Sequence, residues 1–348
     1  MTRSCVSGGA NMTEPPMTEP KVSFITLSYN SGKYIDRCLG TLVDQGGHEV
    51  IHADNGSTDI DLDEMQGNYP TVRQIRHTAN LGFAVAMNRA AATATGDWLA
   101  FINPDAFLAD DWLAVMTSAI AAHPETRLFT SLQTDAEKHD RLDGAGDAMT
   151  FFGFPYRMGF GQPTPRDLAP ADVFAPCGAA MLVRRDLFEA LGGFAESFFC
   201  YCEDADLGFR ARLVGDRCLF IPEARVGHVG SASTSARSDF ALYHGYRNRV
   251  WLYVRNMPWW LLLLTLPVHF GMTLMLALND SRKGKSGLVW KALGDALAGM
   301  GPILSQRGLI QRTRQIGTLR LGKSLTWNLQ KIANRALDHR SLDHRRPK

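Results

Sequence analysis

An alternation of strand-like and helix-like stretches that begins at Val22 limits this chain more than any other feature. Residues 22–27 (VSFITL) form a short β-rich run, and Ser28-Tyr29-Asn30-Ser31-Gly32 reads as a turn. Residues 34–43 then carry Ile35, Leu39 and Leu42 at helical spacing. A second strand over residues 49–53 runs into Asp54-Asn55-Gly56-Ser57, and a third covers residues 72–76, followed by a helix over 83–94. The fourth strand, residues 98–102 (WLAFI), is closed by Asn103-Pro104-Asp105; a helix over 110–122 and a strand over 128–132 follow. Strands separated by helices of about ten residues imply βαβ units, and so an α/β fold with a mostly parallel sheet covered on both faces.

In such sheets the ligand crevice lies at the carboxyl ends of the strands. Ser28-Tyr29-Asn30, Asp54-Asn55 and Asn103-Pro104-Asp105 all fall there. One polar loop carries little information, but three successive strands ending this way point to a site. Residues 143–176 are rich in Gly and Pro and too irregular for regular elements, as in a segment that covers a site. Strand pattern resumes at 181–183, and a helix over 204–214 places Leu207, Ala211 and Val214 on one face. Residues 218–221 and 225–229 read as two short strands closing the domain.

The formal net charge of +2 conceals an asymmetry. From Ser281 to Lys348 there are 15 Lys/Arg against 3 Asp/Glu, a net of +12, so the preceding residues carry −10. A basic tail on an acidic body suggests an anionic partner, nucleic acid or a membrane surface. Only Trp327 follows Trp290 among the aromatics, which argues against interleaved base stacking and hence against nucleic acid. The uncharged stretch 256–279 favours the membrane. It holds Trp259-Trp260 and four consecutive leucines and is long enough to span, a bilayer needing about 20 residues. Pro267 and His269 in its middle, and Arg247, Arg249, Arg255, Arg282, Lys283 and Lys285 on both flanks, favour instead a kinked segment lying in the inner leaflet. A buried core hairpin is the alternative. Residues 1–20 lack an apolar run and read as a loose leader, with Met12 or Met17 as possible starts. The six cysteines lack zinc-site spacing and read as reduced thiols.

No Gly-x-Gly-x-x-Gly follows the first strand, which excludes the common dinucleotide loop. Carboxylates remain. Asp105 at a strand end can hold a hard cation that bridges phosphates, or simply form a turn. Asp54 can accept from a base or ribose, or close an Asx turn with Gly56. Glu203-Asp204 opens the later helix, where acidic residues also serve as caps. Asp206 and Arg210 read as a structural i,i+4 pair. His228 follows a short strand and can equally be a half-buried core histidine.

Five stretches carry a resemblance: VSFITLSYNSGKYIDRCLGTL, HADNGSTD, NLGFAVAMNRAAATATGDWLAFINPDAFL, CGAAMLVRRDLFEALGGFAESFFCYCEDADLGFRARLVG and IPEARVGHVGSAS. Their order over residues 21–233 resembles glycosyltransferase family 2, and within it the bacterial rhamnosyltransferase-like branch. The resemblance implies a GT-A fold and inverting transfer from a nucleotide sugar (dTDP-, UDP- or GDP-linked) with Mg²⁺ or Mn²⁺. It assigns Thr26, Tyr29 and Asp54 to the base and ribose pocket, and Asn80, Gly82 and Asn88 to the nucleotide's flank. Asn103-Pro104-Asp105 stands for the family's Asp-x-Asp, with Asp105 as metal carboxylate and Asn103 departing from a strict Asp. Asp204 is the implied base with Glu203 orienting its surroundings, and His228 sometimes completes the metal site. The expected organisation is a leader (1–20), a catalytic domain (21–255), an apolar membrane-associated segment (256–280) and a basic helical tail (281–348). The expected function is sugar transfer to a lipid-linked or polysaccharide acceptor at the cytoplasmic face of the inner membrane. A catalytically inactive sugar-nucleotide-binding or scaffolding module is the alternative.

Overall fold

The computed structural model describes residues 20–230 and 238–342, so the expected leader lies, apart from Pro20, outside the described residues. The elements run β1 (Val22–Ser28), α1 (Gly32–Val43), β2 (Glu49–Asp54), α2 (Leu62–Asn68), β3 (Arg73–Arg76), α3 (Phe83–Thr93), β4 (Trp98–Ile102), β5 (Ala106–Leu108), α4 (Trp112–Ala122) and β6 (Leu128–Asp135). A middle section follows with β7 (Leu142–Gly144), β8 (Asp147–Met149), β9 (Pro155–Arg157) and β10 (Ala171–Val173). Then come β11 (Ala180–Arg184), α5 (Arg185–Ala190), α6 (Glu203–Leu213) and β12 (Cys218–His228). The remainder is helical: α7 (Asp239–Asn256), α8 (Trp259–Asp280), α9 (Ser286–Ala298), α10 (Met300–Thr313), α11 (Thr318–Ser324) and α12 (Leu329–Ala333).

The main sheet has the order β10-β12-β6-β11-β4-β1-β2-β3. β3, β2, β1 and β4 are parallel, as the βαβ pattern requires, while β11 is antiparallel to both β4 and β6. Side chains alternate along β1. Val22 and Phe24 join α1 and α4 through Leu39 and Trp112 on one face, and Ile25 and Leu27 join α3 through Met87 on the other. Burial of both faces makes β1 read as a continuous apolar run.

The structure departs from the sequence reading in two stretches of the catalytic region. The section between 143 and 176 is not without regular elements: β7 pairs with β6, β10 with β12, and β8 with β9. Three-residue strands are too short to leave a periodic signal. The two expected closing strands are one, β12, whose register against β6 shifts between Ile221 and Arg225, around Pro222. Proline lacks the N–H that the ladder needs, so the pattern breaks while the strand continues.

A third core lies between α6 and the C-terminal helices, with Phe198, Phe209, Trp251, Tyr253 and Ile303 buried in it. Its polar pin is Asp206, fully buried, which accepts from Arg210 Nε at 2.7 Å, from Asn256 Nδ2 at 2.7 Å and from Arg255. The i,i+4 pair is thus structural, as its spacing suggested. α8 runs without interruption through Pro267; the reversal falls at Gly284, whose φ of 83° suits only glycine without strain. α8 is long and apolar enough to cross a membrane, yet most of it is not buried within the protein.

Candidate active site

A cavity of about 490 Å³ opens at the carboxyl ends of β1, β2 and β4. One wall comes from the strand ends. Asp105 follows β4, and the β5–β12 ladder pairs His228 with Ala106, so register alone sets the imidazole beside the carboxylate. His228 Nε2 lies 3.3 Å from Asp105 Oδ1, and its Nδ1 lies 2.7 Å from Asp143 Oδ2. Asp143 in turn accepts from Arg157 Nη1 at 2.8 and 2.9 Å. Burial would lower the His228 pKa, but the carboxylates of Asp105 and Asp143 beside its ring outweigh it and push the group up to about 9. Buried Nε2 has no hydrogen bond of good geometry. Among the described residues, no cluster of three His, Cys, Asp or Glu side chains is arranged to hold an ion.

The loop that enters α6 supplies a further part of the lining. Phe199, Tyr201 and Cys202 have φ of 66°, 72° and 69°, a left-handed conformation that costs non-glycine residues roughly 1–3 kcal/mol each. Asn248 of α7, fully buried, holds the loop: its Nδ2 donates to the carbonyls of Phe198, Cys200 and Tyr201 at 2.9, 2.7 and 2.9 Å. Gly82 permits the close approach, since a Cβ there would lie 2.6 Å from the Phe199 ring.

Glu203 and Asp204 follow at the start of α6 and both line the cavity. Burial and then the neighbouring Asp204 charge push Glu203 up to about 8, and its Oε2 has no hydrogen-bond partner. Burial also raises Asp204, but backbone N–H groups of Ala205 and Gly178 and the Arg157 guanidinium favour its ionised form. Burial thus favours the neutral form of both carboxyls, while the N–H groups and guanidinium beside Asp204 favour its ionised form. A Cβ at Gly178 would meet Asp204 Oδ2 at 2.5 Å, so only glycine leaves room for the carboxylate. Asp147, buried with Oδ1 unpartnered, is held well above the usual carboxylate range by burial and by Asp204.

Of the residues singled out from sequence, Tyr29, Asn80, Gly82, Asn103, Asp105, Glu203, Asp204 and His228 line this one cavity. Thr26, Asp54 and Asn88 do not. Thr26 is fully buried within β1, its Oγ1 3.9 Å from Cys38 Sγ. Asp54 closes an Asx turn, accepting from the backbone N–H of Gly56 and Ser57 at 3.0 Å and from Ser28 Oγ at 3.2 Å. Asn88 ties down the backbone of Phe194 and donates to Glu196. These three shape the pocket from behind. Sequence reasoning placed Asn55 in a strand-end cluster without giving it a role and passed over Arg157; Asn55 Nδ2 donates to Asn80 Oδ1 at 2.8 Å, and both residues line the cavity. Asn55 stood in plain view in the turn after β2; Arg157 sits among glycines and prolines with no periodic signal.

Two family models match: Glycosyl transferase family 2 over residues 23–192 and Glycosyl transferase family group 2 over residues 133–300. The N-acetylglucosaminyl-diphospho-decaprenol L-rhamnosyltransferase of Mycobacterium tuberculosis is 28% identical over 265 residues, 68% of this chain and 85% of that protein. The solved structure of S. aureus TarS 1-349 in complex with UDP-GlcNAc superposes with a TM-score of 0.54 at 19% identity, covering 84% of this chain and 87% of that one. GalNAc-T7 with UDP, GalNAc and Mn²⁺ superposes with a TM-score of 0.51 at 18% identity, covering 60% of this chain but only 43% of that one. These superpositions establish the fold, a GT-A type α/β architecture.

Proposed function

We propose that this chain, which belongs to the rhamnosyltransferase-like branch of glycosyl transferase family 2, moves a sugar with inversion onto a hydroxyl of a lipid-linked or polysaccharide acceptor. As a glycosyltransferase it needs three things in one place: a donor pocket, a way to stabilise the departing diphosphate, and a base for the acceptor hydroxyl. The observation that carries the reading is that Asp105, at the end of β4, and Asp204, at the start of α6, line one and the same cavity.

The acceptor oxygen attacks the anomeric carbon as the bond to the donor phosphate breaks, and the hydroxyl proton passes to Asp204. Displacement in one step inverts the anomeric centre and needs no protein nucleophile. Neutral Glu203 beside Asp204 keeps a second charge out of the base's neighbourhood. On the donor side, Tyr29, Asn80 and Gly82 are assigned to the nucleoside and Asn103 to the phosphate end. The donor is dTDP-, UDP- or GDP-linked, with rhamnose favoured by the relative's name.

The residues present suit a divalent metal: a hard carboxylate, Asp105, adjoins an imidazole nitrogen, His228 Nε2, that is buried without a hydrogen bond. Bound there, Mg²⁺ or Mn²⁺ would supply charge stabilisation for the leaving diphosphate. Asp143 would hold the His228 ring through Nδ1, the outer-layer arrangement common to metal-binding histidines.

α8 supports a membrane-associated enzyme. Trp260 and Leu264 are 74% and 68% exposed, with Trp259 and Phe270 also outward and Arg282 following at the end. Such a face suits the inner leaflet on the cytoplasmic side, where nucleotide sugars are made. The deciding experiment incubates the full chain with a panel of nucleotide sugars, Mn²⁺ and a polyprenyl-diphosphate-linked sugar, and scores nucleoside diphosphate release and product. Donor binding without turnover for every pair tested would favour a scaffolding module instead.

A further inference from the structure

We infer that Arg249 is the contact for the phosphate charge of a lipid-linked diphosphate, on a seam between the catalytic loop and the apolar helix. This rests on the proposal that the acceptor is lipid-linked.

Arg249 lies on α7, its guanidinium 4.5 Å from the Phe154 ring centroid and 5.5 Å from that of Tyr246. Its neighbours of like charge are all engaged: Arg210 and Arg255 on Asp206, Arg212 on Asp172, Arg247 on the Phe198 carbonyl. Among the described residues Arg249 makes no hydrogen bond and no ion pair; two aromatic rings pack on it, and the Asp280 carboxylate and Cys202 thiol act on its charge only from a distance. A half-buried guanidinium with no anion in direct contact keeps its donors available to a ligand.

What surrounds it points to which ligand. α7 and α8 run antiparallel, because Tyr253 bonds Thr265 Oγ1 at 2.9 Å while Tyr246 bonds Asp280 at 2.9 Å. Arg249 falls midway between the two tyrosines along α7, as Thr273 falls near the middle of the matching α8 span. Thr273 Oγ1 is buried with no hydrogen-bond partner, a second donor awaiting an acceptor. Phe154, beneath Arg249, also meets the His269 ring of α8 at 5.2 Å. On the other side, the Cys202 thiol, which lines the catalytic cavity, feels the Arg249 charge. The order is thus sugar-transfer cavity, free cation, apolar helix. A glycolipid has the same order: sugar, diphosphate, hydrocarbon.

The test uses the full chain in neutral detergent micelles and farnesyl diphosphate as probe, with titration calorimetry as readout. Wild type is expected to bind it, Arg249→Gln at least tenfold more weakly, and Arg249→Lys in between. Farnesol and nucleoside diphosphate binding should be the same in all three proteins. Equal binding by Arg249→Gln, no binding by wild type, or a matching loss of nucleoside diphosphate binding overturns the inference. So does inorganic pyrophosphate or phosphatidylglycerol binding as tightly as the probe. Should Arg249→Gln not fold, Thr273→Val, which keeps the charge, must weaken the probe at least threefold. Arg249-dependent binding without any sugar transfer would sink the proposed activity and leave this site standing. Transfer that ignores Arg249→Gln would do the reverse.

Discussion

Around the sheet, polar groups are gathered at one rim and apolar groups are hidden; along α8 the arrangement is turned inside out. β1 buries all seven of its residues, and Asp105 and His228 at the ends of β4 and β12 meet in a single cavity. α8 instead presents Trp259, Trp260, Leu264 and Phe270 outward, while His269 and Thr273 are buried against neighbouring elements. The first pattern belongs to a surface bathed in water, and the second suits the membrane-associated enzyme proposed above. The two parts differ in the surroundings each would favour, and Asp206 and Asn248 fasten them together.

The comparison breaks most sharply if chemistry is not confined to the rim. Asp204→Asn is expected to lower sugar transfer by roughly 10²–10⁴-fold with the donor dissociation constant unchanged, measured by nucleotide release and by titration. Full turnover would remove Asp204 from its role. At the joint, Asp206→Ala strands two buried guanidinium groups and should cost roughly 3–5 kcal/mol in denaturant unfolding. Arg210, Arg255 and Asn256 hold the Asp206 carboxyl below its ordinary value despite its burial. Its contribution is therefore present above the unfolded value of about 3.9 and disappears as pH falls through the lower folded value. Unfolding midpoints measured at neutral pH and at successively lower pH should diverge for wild type and flatten for Asp206→Asn.

Removing divalent metal by chelation should abolish transfer and Mn²⁺ should restore it. Asp105→Asn is expected to move half-saturation by about tenfold, or 1.4 kcal/mol. Asn248→Ala removes the donor shared by three carbonyls of the left-handed loop, of which that of Phe198 keeps Arg247. It should cost about 1–3 kcal/mol and lower kcat, with donor binding intact. The gentlest test concerns the outward face of α8. Trp260→Glu should reduce co-sedimentation with anionic vesicles while shifting unfolding free energy by less than about 0.5 kcal/mol, because the side chain touches little within the protein.

Legibility in the sequence followed the same divide. β1, β2 and β4 could be read because buried apolar runs end abruptly in turn residues, and Asp105 and Asp204 because a carboxylate at a strand end or helix start is a local signal. Arg157 and Asn248 could not, since each reaches the site only by folding a distant segment against it. Thr26 and Asn88 came from the resemblance, and each is taken up by partners that the one-dimensional pattern does not display, whereas the turn of Asp54 with Gly56 was one of the two readings its sequence context offered. The apolar character of α8 was plain, but which of its faces is covered depends on α7 and on Phe152 and Phe154.

Asn248 also bears on how this molecule can be dissected. The three carbonyls it gathers belong to the turn that aims Asp204, yet the amide itself rides on a helix beyond the sheet. A shortened form stopping before α7 would keep its strands and lose its aim: a reaction vessel with the lip bent out of true.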